Sequence, residues 1–406
     1  MPVAAAVSWR NACALAALGC LLAGCTGAPA GPGASGGSGE RDASPASTGE
    51  ARPGLSGAVS PPPKKPVVDP PRRQGWRVLS DVPASLNAVE FGDGTGVWTG
   101  AEAVFFVGSS VVLVRYEPDR DRWVEGAEPP LGPRYGAHVS QRKGELLVWG
   151  GGLKWGNPRG AVYDIASDTW RKTPLLPREV LGNHRASSVR AGDQVIYWGG
   201  MRRYVPRAEG WAVDVSSGAA TELPPAPIPA RFDHTAVWTG REMIVWGGNV
   251  DGKGALSGQE GERPLNDGAA YDPKKRSWRV LAASPLTGSA EHGDAVWTGA
   301  EMVIFKGKAA AAYDPATDSW RSFDDAPFPY VEGTAAVWAD SEVIFLGRHG
   351  GSALNPVTKK WRPLPDAPGP AREGGGAVWT GSEMLLLGGY SPRTGVEAAD
   401  HLAYRP

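Results

Sequence analysis

A recurring pattern along the chain constrains its fold more than any other feature. It reads Ala-Val-Trp-Thr-Gly, one variable residue, Glu-Met and then three apolar residues. Clear copies begin at Ala236, Ala295 and Ala377, and weaker ones begin near Gly96, His138, Ser187 and Ala335. A Tyr-Asp-Pro-like corner and then a Trp follow the copies, as in Tyr271-Asp272-Pro273 before Trp278. Repeats of about 40 to 60 residues built in this way are typical of propeller blades rather than of helical repeats.

Each repeat contains four short β-rich runs separated by turn residues, and none has helical periodicity. We name the runs A (Ala-Val-Trp), B (Met-Ile-Val-Trp-Gly-Gly), C (Ala-Ala-Tyr-Asp) and D (Trp-Arg-x-Leu). Run B is apolar at consecutive positions, which predicts a strand buried on both faces. The Thr-Gly and Asp-Pro corners predict the A–B and C–D turns. A charged residue follows the Trp of run D, which predicts an outermost strand protected from pairing with another chain. These residues are Arg171, Arg279, Arg321 and Arg362.

The double glycine that ends run B, the Tyr in run C and the Trp in run D together resemble the Kelch family. The double glycine is present at Gly150-Gly151, Gly199-Gly200, Gly247-Gly248 and Gly388-Gly389, and it is degraded in the other three repeats. The resemblance covers residues 74–406 and implies an all-β propeller of four-stranded antiparallel blades.

The two ends of the repeat region predict how the ring closes. The last residues, Ala403-Tyr404-Arg405-Pro406, match run C at Ala270-Tyr271-Asp272-Pro273, and no run D follows them. Near the other end, Trp76-Arg77-Val78-Leu79 reproduces the run D of Trp278-Arg279-Val280-Leu281. We therefore expect the N-terminal strand to be the outer strand of the last blade. Counting the A runs gives seven blades.

Residues 1–24 have the features of an export signal. An apolar stretch from Ala12 to Ala23 follows Arg10, and it is too short to span a bilayer as a helix. The following Leu22-Ala23-Gly24-Cys25 resembles the lipobox of bacterial lipoproteins, which implies cleavage before Cys25 and lipidation of its thiol. The alternative is an ordinary cleaved signal with a chance cysteine. All three cysteines of the chain, Cys13, Cys20 and Cys25, lie in this segment, so the remainder has no thiol chemistry and no Cys-ligated metal.

Residues 25–73 are rich in Gly, Pro, Ala and Ser, and we expect a disordered tether that follows the lipidated cysteine. The predicted location is outside the cell, anchored to the outer face of the cell membrane, or to the outer membrane in a cell that has one. The 42 basic and 43 acidic residues nearly balance, which predicts no nucleic-acid partner and membrane contact through the lipid alone. We expect a monomer.

Residues that recur in every blade belong to the fold, because a catalytic group does not need several copies. This interpretation covers the Glu after the A–B turn (Glu102, Glu145, Glu242, Glu301, Glu342 and Glu383) and the Asp that opens the C–D turn (Asp164, Asp214, Asp272 and Asp314). Antiparallel alternation places the B–C and D–A connections on one face of the disc, and this face has the long irregular loops at 152–159, 201–209, 249–267 and 390–400.

We predict that this face binds a ligand or partner. The candidate ligand-binding residues are Arg134, Tyr135, Trp155, His184, Arg185, Tyr204, Arg231, Asp233, His234, Glu291, His292, Glu332, Arg372, Glu373 and Tyr390. The alternative for the arginines that precede run A is a structural role in which they bond loop carbonyls.

Two classes of function follow from this face. The first is a non-catalytic binding or scaffold module for an extracytoplasmic protein or glycan. The second is a carbohydrate-active enzyme similar to Kelch-type sialic acid mutarotases, in which Arg134, Arg231 and Arg372 pair a carboxylate and Glu291, Glu332 or His292 moves a proton. A copper-radical site like that of galactose oxidase needs a cysteine bonded to a tyrosine, and residues 74–406 contain no cysteine. A metal site from His184, His234 and His292 lacks ligand spacing. We expect no metal and no cofactor, and we assign no catalytic residue.

Overall fold

A computed structural model describes residues 74–86, 94–134, 137–151, 160–175, 185–202, 205–250, 264–286, 294–330, 334–347, 349–372, 374–391 and 400–406. The predicted signal peptide and tether lie outside these residues. Within them, β-strands form nearly all of the regular structure, and single 3₁₀ turns lie at Ala84–Leu86 and Pro118–Arg120.

Seven four-stranded antiparallel sheets make up the body. The first strand, β1 (Gly75–Val78), belongs to the last sheet. The next three blades contain, in order, β2 (Gly94–Trp98), β3 (Ala103–Val107), β4 (Val112–Glu117) and β5 (Arg122–Glu125); β6 (His138–Arg142), β7 (Glu145–Trp149), β8 (Ala161–Asp164) and β9 (Thr169–Lys172); and β10 (Ser187–Ala191), β11 (Gln194–Trp198), β14 (Gly210–Asp214) and β15 (Ala220–Glu222). A two-stranded hairpin, β12 (Met201–Arg202) and β13 (Val205–Pro206), is inserted in blade 3.

The remaining blades repeat the same order. They contain β16 (Thr235–Trp238), β17 (Met243–Trp246), β18 (Gly268–Asp272) and β19 (Ser277–Val280); β20 (Asp294–Trp297), β21 (Met302–Lys306), β22 (Ala309–Asp314) and β23 (Ser319–Ser322); β24 (Ala335–Ala339), β25 (Glu342–Gly347), β26 (Gly350–Asn355) and β27 (Lys360–Pro363); and β28 (Gly376–Trp379), β29 (Met384–Leu387) and β30 (Leu402–Arg405), which β1 completes. The innermost strands contact one another in the cyclic order β2, β6, β10, β16, β20, β24, β28 and back to β2. The predicted seven-bladed propeller is confirmed.

The last blade is completed from the N-terminal side. Strand β1 runs antiparallel to β30, with Trp76 opposite Tyr404 and Val78 opposite Leu402. The Trp76 indole donates a hydrogen bond to the carbonyl of Pro365, 2.8 Å away, in the connection that follows blade 6. This is the pairing that the matching ends of the repeat region predict.

The core lies between the blades. Alternate residues of β17 point to opposite faces of its sheet, so Met243 and Val245 pack against blade 3 while Ile244 and Trp246 pack against blade 5. Every residue of β17 is buried. The prediction that the second strand of each blade is buried on both faces is therefore confirmed here.

The D strand is the outermost strand of its blade, as predicted, and its arginine also makes contacts that the sequence pattern did not indicate. Arg279 lies opposite Ala270 of the neighbouring strand. Its guanidinium donates to Glu242, which directly precedes the second strand, and to the Tyr313 hydroxyl of the next blade, each at 2.6 Å. That hydroxyl in turn donates to Asp318. The charge therefore joins two blades.

The same Glu–Arg pair recurs in six blades. The pairs are Arg115 with Glu102, Arg171 with Glu145, Arg279 with Glu242, Arg321 with Glu301, Arg362 with Glu342 and Arg77 with Glu383. In blade 1 the arginine has moved to the third strand, where Arg115 lies opposite Val124. Blade 3 has Gln194 in place of the glutamate and Thr221 in place of the arginine, so both partners are replaced together. The recurrent carboxylates are thus part of the fold.

Candidate binding face

The two faces of the disc differ in how alike the blades are. The A–B and C–D turns form one face, which we call the turn face. Its A–B turns are of two short kinds: in blades 1, 4, 5 and 7 the amide of a Thr donates to a Glu carbonyl, as from Thr239 to Glu242 O at 3.1 Å, and in blades 2, 3 and 6 two residues join the strands. The B–C and D–A connections form the opposite, loop face. There the B–C connection is residues 307–308 in blade 5 but residues 247–267 in blade 4. Variation between blades is therefore concentrated on the loop face.

Three buried arginines fasten the B–C connections at their ends. The Arg231 guanidinium donates to the carbonyls of Gly247 and Asp267, at 2.9 and 3.1 Å, and to the Asp267 carboxylate. These two residues begin and end the B–C connection of blade 4. Arg372 binds Gly388 and Asp400 in the same way in blade 7.

In blade 2, Arg134 donates to the carbonyl of Gly150 at 3.0 Å, and burial lowers its pKa to about 10. The contacts of all three arginines favour the structural alternative, in which they bond loop carbonyls.

Two predicted residues, Arg185 and Asp233, pair with each other. The Arg185 Nε donates to Asp233 at 2.8 Å, and the side chains are 8% and 7% exposed. The guanidinium also lies over the Phe232 ring, 4.5 Å from its centroid. Both residues have positive φ angles, 64° and 54°. The pair joins the connections that precede blades 3 and 4, so it stiffens this sector of the loop face.

His234 lies beneath this pair. It is buried, and its ring meets the edge of Trp198 at a centroid distance of 5.2 Å. Burial, together with the nearby Arg231 charge, lowers the pKa of His234 to about 3. The imidazole is therefore neutral at neutral pH and belongs to the packing between blades 3 and 4.

His401 is a buried histidine that the sequence patterns did not indicate. Its Nδ1 accepts a hydrogen bond of 3.1 Å from the amide of Gly388, at the start of the B–C connection of blade 7. Burial lowers the pKa of His401 to about 4. The imidazole is thus a neutral acceptor that fixes a loop end, as the arginines do.

A cleft of about 320 Å³ opens on the loop face between the connections of blades 5, 6 and 7. Its walls include Phe328, Leu364 and Pro365, and the exposed His349 and Asp366 also line it. Tyr390, another predicted residue, lies half-buried at the start of the B–C connection of blade 7. The cleft itself had no sequence signal, because its walls come from three different repeats.

Several predicted residues lie outside the described residues and remain predictions. They are Cys25, Tyr135, Trp155, His184, Tyr204, Glu291, His292, Glu332 and Glu373. Within the described ranges, no group of three or more His, Cys, Asp or Glu side chains is arranged to hold a metal ion. The described part also has no helix with the length and apolarity needed to cross a membrane.

The fold and this face define a seven-bladed β-propeller whose loop face varies more between blades than its turn face. Comparison of the chain with known protein families found no matching family, and comparison with curated proteins found no significant match. The Kelch resemblance therefore rests on the repeat pattern of the chain itself.

Proposed function

We propose that the chain is an extracytoplasmic, lipid-anchored propeller of Kelch type that binds a protein or glycan partner through its loop face. It acts in this proposal as a non-catalytic binding or scaffold module. One observation carries the proposal: the recurrent polar side chains are engaged in contacts within and between blades, while the connections on a single face differ from blade to blade. Function in such scaffolds is found where a rigid frame carries variable loops.

The fastened loop ends support this role. Arg231, Arg372 and His401 hold the first and last residues of long B–C connections in place. A connection whose ends are fixed loses less conformational entropy when it binds, so more of the contact energy is kept as affinity. The Arg185–Asp233 pair adds a further rigid point.

The geometry gives no comparable support to the carbohydrate-active alternative. That alternative needs Arg134, Arg231 and Arg372 to pair a substrate carboxylate. Each of these guanidinium groups is buried and already donates to loop carbonyls. Displacing those bonds would leave carbonyls without donors, which is costly in a buried site.

The proposed anchor is supported by the apolar stretch that ends at Cys25 and by the Gly/Pro-rich segment after it. We expect Cys25→Ala to abolish incorporation of radiolabelled palmitate and to move the protein from the membrane fraction to the soluble fraction. Cys20→Ala is the matched control and should leave both unchanged. If the Cys25→Ala variant were labelled as strongly as the wild type, the proposed lipid anchor would be refuted. That result would not bear on the binding proposal.

The binding proposal is tested with charge-matched variants on the two faces. Arg202→Glu with Lys308→Glu reverses two exposed charges on the loop face, and Arg241→Glu with Lys275→Glu reverses an exposed Arg and Lys on the turn face. Capture of partners from a glycan array and from an extracytoplasmic protein fraction is measured with each. We expect the loop-face variant to lose at least tenfold in capture and the turn-face variant to keep it. Loss confined to the turn-face variant would refute the proposal.

A further inference from the structure

Two neighbouring blades depart from the others in their innermost strands. With positions counted from His138 of β6 and the residues aligned with it, the fourth position of the A strand is a tryptophan in the other five blades: Trp98, Trp238, Trp297, Trp338 and Trp379. Blades 2 and 3 have Gln141 and Arg190 there. At the third position six blades have valine, and blade 2 has Ser140. Polar residues have thus replaced apolar ones in the innermost strands of two adjacent blades.

Strand register shows which of these side chains face each other. Residues directly opposite in an antiparallel pair point to the same face of the sheet. In blade 2, His138 is opposite Trp149 and Ser140 is opposite Leu147. Trp149 and Leu147 pack against blade 3 in a cluster with Val195, the residue opposite Arg190.

It follows that His138 and Ser140 of β6 face Arg190 of β10. They meet at the inner end of the interface between blades 2 and 3, beside the central axis.

The polar atoms in this layer lack partners. His138 Nε2, Ser140 Oγ and Arg190 Nη1 are buried and have no hydrogen-bond partner among the described residues. Within the part of the chain that the structure describes, the Arg190 side chain donates one hydrogen bond, from Nε to the Gly192 carbonyl at 3.2 Å. Neighbouring charges are paired, Arg142 with Asp193 and Arg171 with Glu145. The charge of Glu145 acts on Arg190 from a distance, but among the described residues no carboxylate forms an ion pair with Arg190.

Unsatisfied buried donors are rare in native proteins and indicate a missing ion, water or ligand. The arrangement offers a guanidinium, a hydroxyl and a neutral imidazole on facing strands. A guanidinium is matched to carboxylate and phosphate oxygens, which accept from it in a planar fork. Although these single atoms are buried, each of the three residues is partly exposed when all of its atoms are counted. The layer therefore adjoins solvent.

We infer that an oxyanion binds at this layer, accepting hydrogen bonds from Arg190, Ser140 and the Nε2–H of His138. The ligand class is a small carboxylate, sulfate or phosphate group, either free or carried on a larger molecule. The site is distinct from the loop face, since it is built from the inner strands, and it does not depend on the proposed function.

The test uses the full chain with acetate, sulfate and inorganic phosphate as probes, each compared with chloride at equal ionic strength. Binding is measured by isothermal titration calorimetry and by the shift in melting temperature. We expect saturable binding of at least one probe. A response to phosphate or sulfate alone identifies a tetrahedral group, and a response to acetate identifies a carboxylate.

The variants restore the residues of the other blades, so they are compatible with the fold. Arg190→Trp and Ser140→Val should each weaken binding at least tenfold, while Arg190→Lys retains part of it. Arg241→Ala, an exposed arginine on the turn face, is the matched control and should bind as the wild type does. No saturable response in the wild type, or full binding by a folded Arg190→Trp variant, would overturn the inference.

Discussion

Replacing Arg77 by Ala should destabilise the protein far more than the same change at Arg171. Arg77 donates to Glu383 at 2.8 Å and to the Tyr116 hydroxyl at 3.2 Å, so it joins blade 7 to blade 1. The Glu383 side chain is only 3% exposed, and Arg77 itself is 29% exposed. Arg171 makes the equivalent 3.0 Å pair with Glu145, but the two side chains are 50% and 33% exposed. The Glu–Arg pair is common to both, but the pair of Arg77 is more buried, and Arg77 also contacts Tyr116 and Asp121 of the next blade.

The magnitude follows from that difference. Removing one partner of a buried pair leaves an uncompensated charge and costs about 3–5 kcal/mol. Arg405, at 3.8 Å from Glu383, compensates part of this, so we expect about 3 kcal/mol for Arg77→Ala. An exposed pair contributes about 0–1 kcal/mol, which is the expectation for Arg171→Ala.

The assay is urea unfolding of the full chain, followed by tryptophan fluorescence from its 17 tryptophans. The double variant Arg77→Ala with Glu383→Gln should recover much of the loss, because the buried charge is then removed as well. Equal and small effects of Arg77→Ala and Arg171→Ala would refute the reasoning that these recurrent pairs hold neighbouring blades together.

Three further predictions follow from particular contacts. The pKa values of about 3 for His234 and about 4 for His401 lie below the ordinary 6.5, so both must stay neutral in the folded state. Stability should therefore be fully present above pH 6.5 and fall as the pH drops towards 4, by about 2 kcal/mol per histidine at pH 5, in urea midpoints across pH. Tyr313→Phe removes a hydroxyl that accepts from Arg279 and donates to Asp318, and should cost about 1–3 kcal/mol in the same assay. Tyr271→Phe is its control and should cost less, since the Tyr271 hydroxyl has no such bonds within the described residues. Gly248→Ala should destabilise more than Gly144→Ala, because a Cβ at Gly248 would lie 2.6 Å from the Phe232 carbonyl oxygen whereas Gly144 faces open space; both have positive φ, and thermal melts compare them.

The fold could be predicted from the sequence because a repeat reports the same structure several times. The Ala-Val-Trp copies define the inner strands, and the matching of Trp76 to Trp278 and of Tyr404 to Tyr271 places the first and last strands side by side. Each local pattern agrees with the global ring, which is the condition for a reliable inference from pattern.

The role of the outer-strand arginines could not be predicted in this way. The contacts of Arg279 depend on the neighbouring blade, since one of its acceptors is the Tyr313 hydroxyl of blade 5. The loop face presented the same difficulty. Arg185 and Asp233 lie 48 positions apart and pair only because the connections before blades 3 and 4 meet in space. In contrast, the polar layer at Ser140 and Arg190 can be found by aligning the inner strands of the seven blades. In that alignment Ser140 replaces a valine and Arg190 replaces a tryptophan.

The central claim, that partners bind through the loop face, is tested most directly by site-specific photo-crosslinking. A photoreactive residue is placed at Arg202 or Lys308 on the loop face and at Arg241 or Lys275 on the turn face, all exposed positions. We predict specific adducts from the two loop-face positions and none from the turn-face positions. Adducts formed only from Arg241 and Lys275 would contradict the assignment of the binding face.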